Sequence, residues 1–112
     1  LPVRRRLRVA LLSTGDELAD PPAPLAAAGS YDANRPFLRS ACARLGFDAL
    51  DLGICADRAE AFAQAIDRAF DAGCDVLVIS GGAAQGDVDI VRQAGGVQFV
   101  PLNIRPGRGI AH

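Results

Sequence analysis

Gly73-Cys74-Asp75-Val76-Leu77-Val78-Ile79-Ser80-Gly81-Gly82 is the stretch that decides how the chain is read. Val76 to Ile79 is apolar without alternation, so both faces of the segment seek cover. That is the pattern of a strand inside a parallel sheet, not of a half-wet antiparallel one. β-Branched Val and Ile suit the pleat. Gly73 ends the element before it and Gly81-Gly82 ends the strand itself. Asp75 to Ser80 is therefore expected to be a central strand running into a glycine turn.

Working outward, Ala59, Phe62, Ala63, Ile66 and Phe70 share one helical face ahead of Gly73, and Asp57-x-x-Glu60 has the spacing of a capping box. Phe47 to Ile54 alternates apolar and acidic residues and reads as a strand nearer a sheet edge. Before it, Phe37, Leu38, Ala41, Cys42 and Leu45 mark a helix starting at Asn34, with Asn34 as N-cap, Pro36 in the first turn and Gly46 as C-cap. Residues 19–33 are rich in Ala, Pro and Gly and read as a loop. Arg8 to Thr14 is a buried strand stopped by Gly15. Downstream, a short helix from about Asp87 to Gln93 and a last strand from Val97 to Ile104 are expected. The order β-α-β-α-β-α-β predicts an α/β fold, a mostly parallel sheet with helices on both faces. Such sheets bind ligands at the carboxyl ends of their strands, so the residues just after each strand are the candidates.

Composition narrows the function. The chain has 112 residues, half of them apolar, enough for a single domain over 1–112 with its own core. Twelve basic residues, all Arg, stand against thirteen acidic ones. A net charge of −1 argues against a duplex-DNA binder, which needs a basic face to displace counterions. Cys42, Cys55 and Cys74 form no C-x-x-C pair and read as small buried residues of a reducing, cytoplasmic compartment. His112 is the only histidine and lies last, which leaves no partner for a Ser-His or Cys-His pair. No apolar run approaches the roughly 20 residues of a membrane span, and no signal-type stretch follows Arg4-Arg5-Arg6. A start without Met and a loop-like end at Pro106 to His112 suggest a domain excised from a longer protein.

Four loops should meet on the ligand-binding edge. They are Ser13-Thr14-Gly15-Asp16-Glu17, Cys55-Ala56-Asp57, the segment from Ser80 through Gly81, Gly82 and Gly86 to Asp87 and Asp89, and Arg105-Pro106-Gly107-Arg108-Gly109. Glycines let backbone N–H groups approach a phosphate, and a following helix N-terminus favours the anion. Arg105 and Arg108 beside Pro-Gly suit an anion clamp, though solvated surface charge is the bland alternative. Carboxylates beside a phosphate call for a hard cation, and Mg²⁺ held by one or two of them with substrate oxygens is the usual answer. Asp57 could equally cap its helix, Asp87 reads as an N-cap, and Asp89 could serve only the helix dipole. Glu17 has the weakest structural excuse and Asp16 is the lesser of that pair.

At these loops the chain resembles the molybdopterin-binding domain of the molybdopterin molybdotransferases, the MoeA and gephyrin family. The matching blocks are Ser13-Thr14-Gly15-Asp16-Glu17-Leu18, Tyr31-Asp32-Ala33-Asn34-Arg35, Leu52-Gly53-Ile54 with Asp57, Ser80-Gly81-Gly82 with Gly86-Asp87-x-Asp89, and Arg105-Pro106-Gly107. The first two favour this branch over the adenylyltransferases and the competence-damage-type proteins. The resemblance implies a three-layer α/β/α sandwich of the MogA/MoeA-like kind. It implies Mg²⁺-assisted insertion of molybdate into adenylylated molybdopterin, with AMP leaving. Glu17, Asp57 and Asp89 fall on the family's acidic, metal-associated catalytic positions. Thr14, Gly15, Ser80, Gly81, Gly82, Gly86, Arg105, Pro106, Gly107 and Arg108 fall on its cofactor-binding positions. A homodimer, with the active site formed between subunits, is also implied.

Two departures stand out. The family's Gly-Gly-Val-Ser-x-Gly loop has Ala83 and Ala84 in place of Val and Ser, which removes a hydroxyl donor worth roughly 0.5–3 kcal/mol. Its Lys-Pro-Gly-Lys becomes Arg105-Pro106-Gly107-Arg108, keeping the charge and changing the geometry. The altered loop motivates a second reading, a pterin-binding or interaction module without catalysis. A nucleotide pyrophosphatase of the competence-damage type is a third. The 112 residues by themselves are expected to bind weakly and turn over little.

Overall fold

The computed structural model describes residues 1, 3–81, 99–101 and 109–111, the last two segments as backbone. At its centre is β1 (Arg8–Thr14), whose residues from Val9 onward are buried on both faces. After it come two two-residue strands, β2 (Leu18–Ala19) and β3 (Ser30–Tyr31), then α1 (Asn34–Leu45), β4 (Asp48–Cys55), α2 (Ala59–Asp71) and β5 (Val76–Ser80). The main sheet has the order β4-β1-β5, and both pairings are parallel.

Alternation along β1 divides the core in two. Val9 and Leu11 pack with Cys42 and Leu38 of α1 and with Phe47 and Val78. Ala10 and Leu12 pack with Leu52, Cys55 and, from α2, Phe62, Ala65 and Ala69. The helices thus cover opposite faces of one sheet, giving the expected three layers. Because the three strands are parallel, Thr14, Cys55 and Ser80 finish at the same edge. Thr14 pairs with Cys55, and Ser13 with both Ile54 and Ser80. β4 carries one extra residue in this register, between the partners of Leu11 and Ser13. Gly53, at φ +83°, takes up that bulge.

Both helices are rotated from the faces read in the sequence. On α2 the packed residues are Ala61, Phe62, Ala65, Ile66 and Ala69, while Phe70 is 75% exposed and Ala59 and Ala63 face outward. The alanines at 65 and 69 let the helix lie close to the sheet, which places Phe70 a turn-fraction away from it. On α1 the inner residues are Arg35, Leu38 and Cys42, and Phe37 and Leu45 are exposed. Ion pairs made by Arg35 fix that rotation, as described below.

The caps differ too. Ala33, not Asn34, occupies the N-cap position of α1. The Asp32 carboxylate reaches past it to accept from the backbone N–H groups of Asn34 and Arg35 at 3.1 and 3.2 Å. Asn34 is thereby displaced into the first turn. Gly46 ends the helix at φ +75°, as expected. α2 has Arg58 at its N-cap position with no side-chain cap, so the Asp57–Glu60 capping box does not form. The N–H of Asp57 donates instead to Asp16, which holds residue 57 outside the helix.

Within the expected loop 19–33, β2 and β3 pair in parallel, Leu18 with Ser30 and Ala19 with Tyr31. The last strand also departs from expectation. Phe99–Pro101 (β6) is extended, but it pairs antiparallel with Gly109–Ala111 (β7), a strand in the segment read as loop-like. The helix expected over 87–93 lies outside the described residues. Asp75 is likewise outside β5, and β1 is the central strand of the described sheet.

The rotated α2 face is open to test by equilibrium denaturation. Phe62→Ala should cost about 3–5 kcal/mol, and Phe70→Ala within about 0.5 kcal/mol of nothing. The opposite ranking would restore the face read from periodicity.

Candidate functional site

At the carboxyl edge the first two loops are joined by two hydrogen bonds donated from backbone N–H groups, one to a carbonyl and one to a carboxylate. Gly15 N–H donates to the Cys55 carbonyl at 3.3 Å, and Asp57 N–H donates to Asp16 Oδ1 at 3.1 Å. Asp16, the lesser candidate in the sequence, is thus the residue that ties the β1 loop to the β4 loop. Gly15 has φ +147°, and a Cβ there would lie 2.6 Å from Glu17 Oε2. The carboxylate of Glu17 therefore folds back over Gly15. Glu17 and Asp57 stand on adjoining loops of one edge, and both are exposed to solvent.

The third loop presses on the first. Gly81 has φ +97°, and a Cβ on it would sit 2.3 Å from the Thr14 carbonyl oxygen and 2.9 Å from Thr14 Oγ1. No side chain fits that approach, so glycine at the end of β5 is a packing requirement as well as a conformational one. The Thr14 hydroxyl is buried and has no hydrogen-bond partner among the described residues. Next to Gly81, the Ser80 hydroxyl accepts from Asn34 Nδ2 at 2.7 Å.

Behind the rim lies a charge cluster that sequence reasoning missed. Arg35, its side chain 6% exposed, donates from Nη2 to both oxygens of Asp20 at 2.5 and 2.6 Å. Nη1 donates to Asp32 at 2.8 Å, and Nε lies 2.7 Å from Asp51. Burial alone would raise the Asp32 carboxyl. The Ser13 hydroxyl, the Arg35 and Asn34 backbone N–H groups and the Arg35 charge together hold it below the ordinary carboxylate value. Burial likewise opposes the Arg35 charge, and the Asp20 and Asp51 carboxylates more than restore it. The signal was present as Asp32-x-x-Arg35 at a helix start, where an acid can cap and also pair at i, i+3.

Of the residues expected at the site, Thr14, Gly15, Glu17, Asp57, Ser80 and Gly81 share this edge. Gly82, Gly86, Asp89, Arg105, Pro106, Gly107 and Arg108 lie outside the described residues, so the carboxylate trio is seen only as its first two members. Among the described residues there is no group of three His, Cys, Asp or Glu side chains able to hold a metal ion. Cys55 lies near Asp57, and burial, with the Asp57 charge adding to it, pushes its thiol up and keeps it protonated at neutral pH. The donors that face outward are oxygens. No helix among the described residues is long and apolar enough to cross a membrane.

A parallel α/β sheet with a glycine turn and two carboxylate-bearing loops at its carboxyl edge is the arrangement in which α/β domains bind small molecules. Residues 10–99 match the family described as a probable molybdopterin binding domain, and the chain belongs to that family. It is 33% identical over 111 residues to a molybdopterin molybdenumtransferase of Haemophilus influenzae, a match covering 96% of this chain and 27% of the relative. It is 34% identical over 118 residues to molybdopterin molybdenumtransferase 2 of Mycobacterium tuberculosis, covering 96% of this chain and 29% of the relative. A solved molybdopterin biosynthesis MoeA protein from Pyrococcus horikosii superposes with a TM-score of 0.79 at 33% identity. That match covers 93% of this chain and 26% of that one. The chain thus spans a little over a quarter of the length of these relatives, and the domain is one of molybdenum cofactor biosynthesis.

The lowered Asp32 fixes the sign of a pH effect. Its folded-state value lies below its unfolded one, so its contribution is complete above about pH 4 and is lost as pH falls through the folded value. Stability should therefore decline on acidification below about pH 4, and Asp32→Asn should flatten that decline while lowering stability at pH 7. Denaturation midpoints across pH 2–7 would show it (a range spanning the usual carboxylate value of about 3.9). A profile for the Asp32→Asn variant as steep as the parent's would remove Asp32 from the account.

Proposed function

We propose that these residues form the pterin-binding part of a molybdopterin molybdenumtransferase. In this reading adenylylated molybdopterin lies along the rim with its phosphate on the glycine turn, and molybdate is inserted as AMP leaves. The observation that carries it is the coupling of loops. Asp16 binds the backbone of Asp57 at 3.1 Å, and Gly81 packs against the end of β1, so carboxylates and phosphate-binding backbone share one edge.

Thr14, Gly15, Ser80 and Gly81 would line the phosphate side, joined by Gly82 and Gly86. Arg105, Pro106, Gly107 and Arg108 would supply the opposing anion clamp, the guanidinium fork suiting a phosphate. Glu17, Asp57 and Asp89 would be the acidic side, where molybdate oxygens and the adenylyl phosphate are oriented. Hard oxygen donors on exposed loops suit Mg²⁺, which is commonly held by one or two carboxylates and completed by substrate phosphates. When bound there, Mg²⁺ would neutralise charge that the carboxylates and phosphates would otherwise set against each other. A homodimer, completing the site from a second subunit, belongs to the same proposal.

The test is turnover by the natural protein that carries these residues. Given adenylylated molybdopterin, molybdate and Mg²⁺, it should release AMP, and chelation of Mg²⁺ should stop the release. Asp57→Ala with Asp89→Ala should lower turnover by at least roughly 100-fold, the scale of losing groups that act on transition-state charge. Unchanged turnover in the double variant would defeat the assignment of the acidic side. Binding without AMP would favour a pterin-binding module, and hydrolysis of ADP-ribose a pyrophosphatase.

A further inference from the structure

Ser80 ends β5 and Asn34 begins α1, 46 positions apart, yet Asn34 Nδ2 lies 2.7 Å from Ser80 Oγ. The direction of that hydrogen bond has a chemical consequence. An amide NH₂ can only donate, so it occupies a lone pair of the serine oxygen. The hydroxyl proton of Ser80 is then turned away from Asn34 and left to donate elsewhere. Ser80 is half-buried and adjoins Gly81, whose turn is pressed on Thr14. We infer that Asn34 is a positioning residue that commits the Ser80 hydroxyl to donating to an anionic oxygen at the glycine turn, the phosphate of the pterin. The inference rests on the reading of this edge as a pterin-phosphate site and adds the residue that sets the hydroxyl's polarity.

The surroundings of Asn34 support that role. The free N–H groups of a helix start would themselves attract an anion, but here Asp32 already accepts from those of Asn34 and Arg35. An anion on this side is therefore directed away from α1 and toward Ser80. The same contacts fix Asn34 in place. Arg35, the next residue, is held by Asp20, Asp32 and Asp51, so the first turn of α1 cannot drift from the sheet edge. A neutral amide also suits the position, because a carboxylate there would accept the Ser80 proton and add charge of the wrong sign.

The natural protein carrying these residues tests this by calorimetric titration with molybdopterin. Ser80→Ala, which removes the donor itself, should weaken binding by roughly 10-fold to 100-fold, as for a hydrogen bond to a charged acceptor. Asn34→Asp should weaken it at least as much, and Asn34→Ala less, since a freed hydroxyl can still rotate to donate. In the Ser80→Ala background, Asn34→Asp should lose most of its effect beyond simple charge repulsion. Equal losses for Asn34→Asp and Asn34→Ala that follow thermal stability, not ligand, would mean a purely structural contact and overturn the inference. So would binding by Asn34→Asp as tight as the parent's. If Asn34→Asp fails to fold, undiminished binding by Ser80→Ala overturns it alone. A parent protein that does not bind molybdopterin would defeat the underlying reading, an outcome separate from these.

Discussion

A single buried guanidinium ties three acidic segments together behind the carboxyl edge of the sheet. Arg35 meets Asp20 from the 20–33 loop, Asp32 from the helix start and Asp51 from β4, all at 2.5 to 2.8 Å. Burying a charge is costly unless it is paired and hydrogen-bonded, and the planar fork of arginine satisfies several carboxylates in fixed directions at once. The acids outnumber the base within the cluster. Part of the excess is met by the backbone N–H groups at the start of α1, which bind Asp32, and part by Arg39, 3.9 Å from Asp51. Lysine has neither the geometry nor the number of donors to do this.

The consequences run outward from there. With Arg35 turned inward, α1 presents Leu38 and Cys42 to the sheet and leaves Phe37 and Leu45 in solvent. Asn34 is carried to Ser80, and the 18–33 segment is drawn against β1's exit, where β2 and β3 pair and Ser30 N–H donates to the Glu17 carbonyl. Glu17 is thus fixed at the backbone while its carboxylate remains at the surface. β1 supplies the rigid reference for all of this, because its buried alternation anchors both helices. A loop-built site is held by a strand that cannot shift and an ion cluster that cannot be unmade cheaply.

Much of this was legible in the sequence, and most of the failures share a cause. The strand from Arg8 to Thr14, the glycine stop at Gly46 and the parallel three-layer arrangement follow from patterns that depend on near neighbours only. The edge shared by Thr14, Gly15, Glu17, Asp57, Ser80 and Gly81 followed from topology, which puts every parallel strand's end on one side. Rotation of the helices did not, because hydrophobicity ranks Phe37 and Phe70 above Ala65 or Arg35. Close packing preferred the small residues, and a charge network preferred the arginine. The capping residues failed for two reasons. Asp32 caps from one position before the N-cap, a local signal that Asn34 overshadowed. Asp16 bonds to Asp57 across 41 positions, which no local motif anticipates. Sequence periodicity sees what a side chain prefers, not what lies opposite it.

The central claim is that Arg35, through its three carboxylates, ties these segments together. Chemical denaturation of Arg35→Ala and Arg35→Lys measures it most directly. The account predicts a loss of about 3–5 kcal/mol for alanine, as when one partner of a buried ion pair is removed, with little recovery by lysine. A loss below about 1 kcal/mol, the scale of an exposed pair, would contradict it.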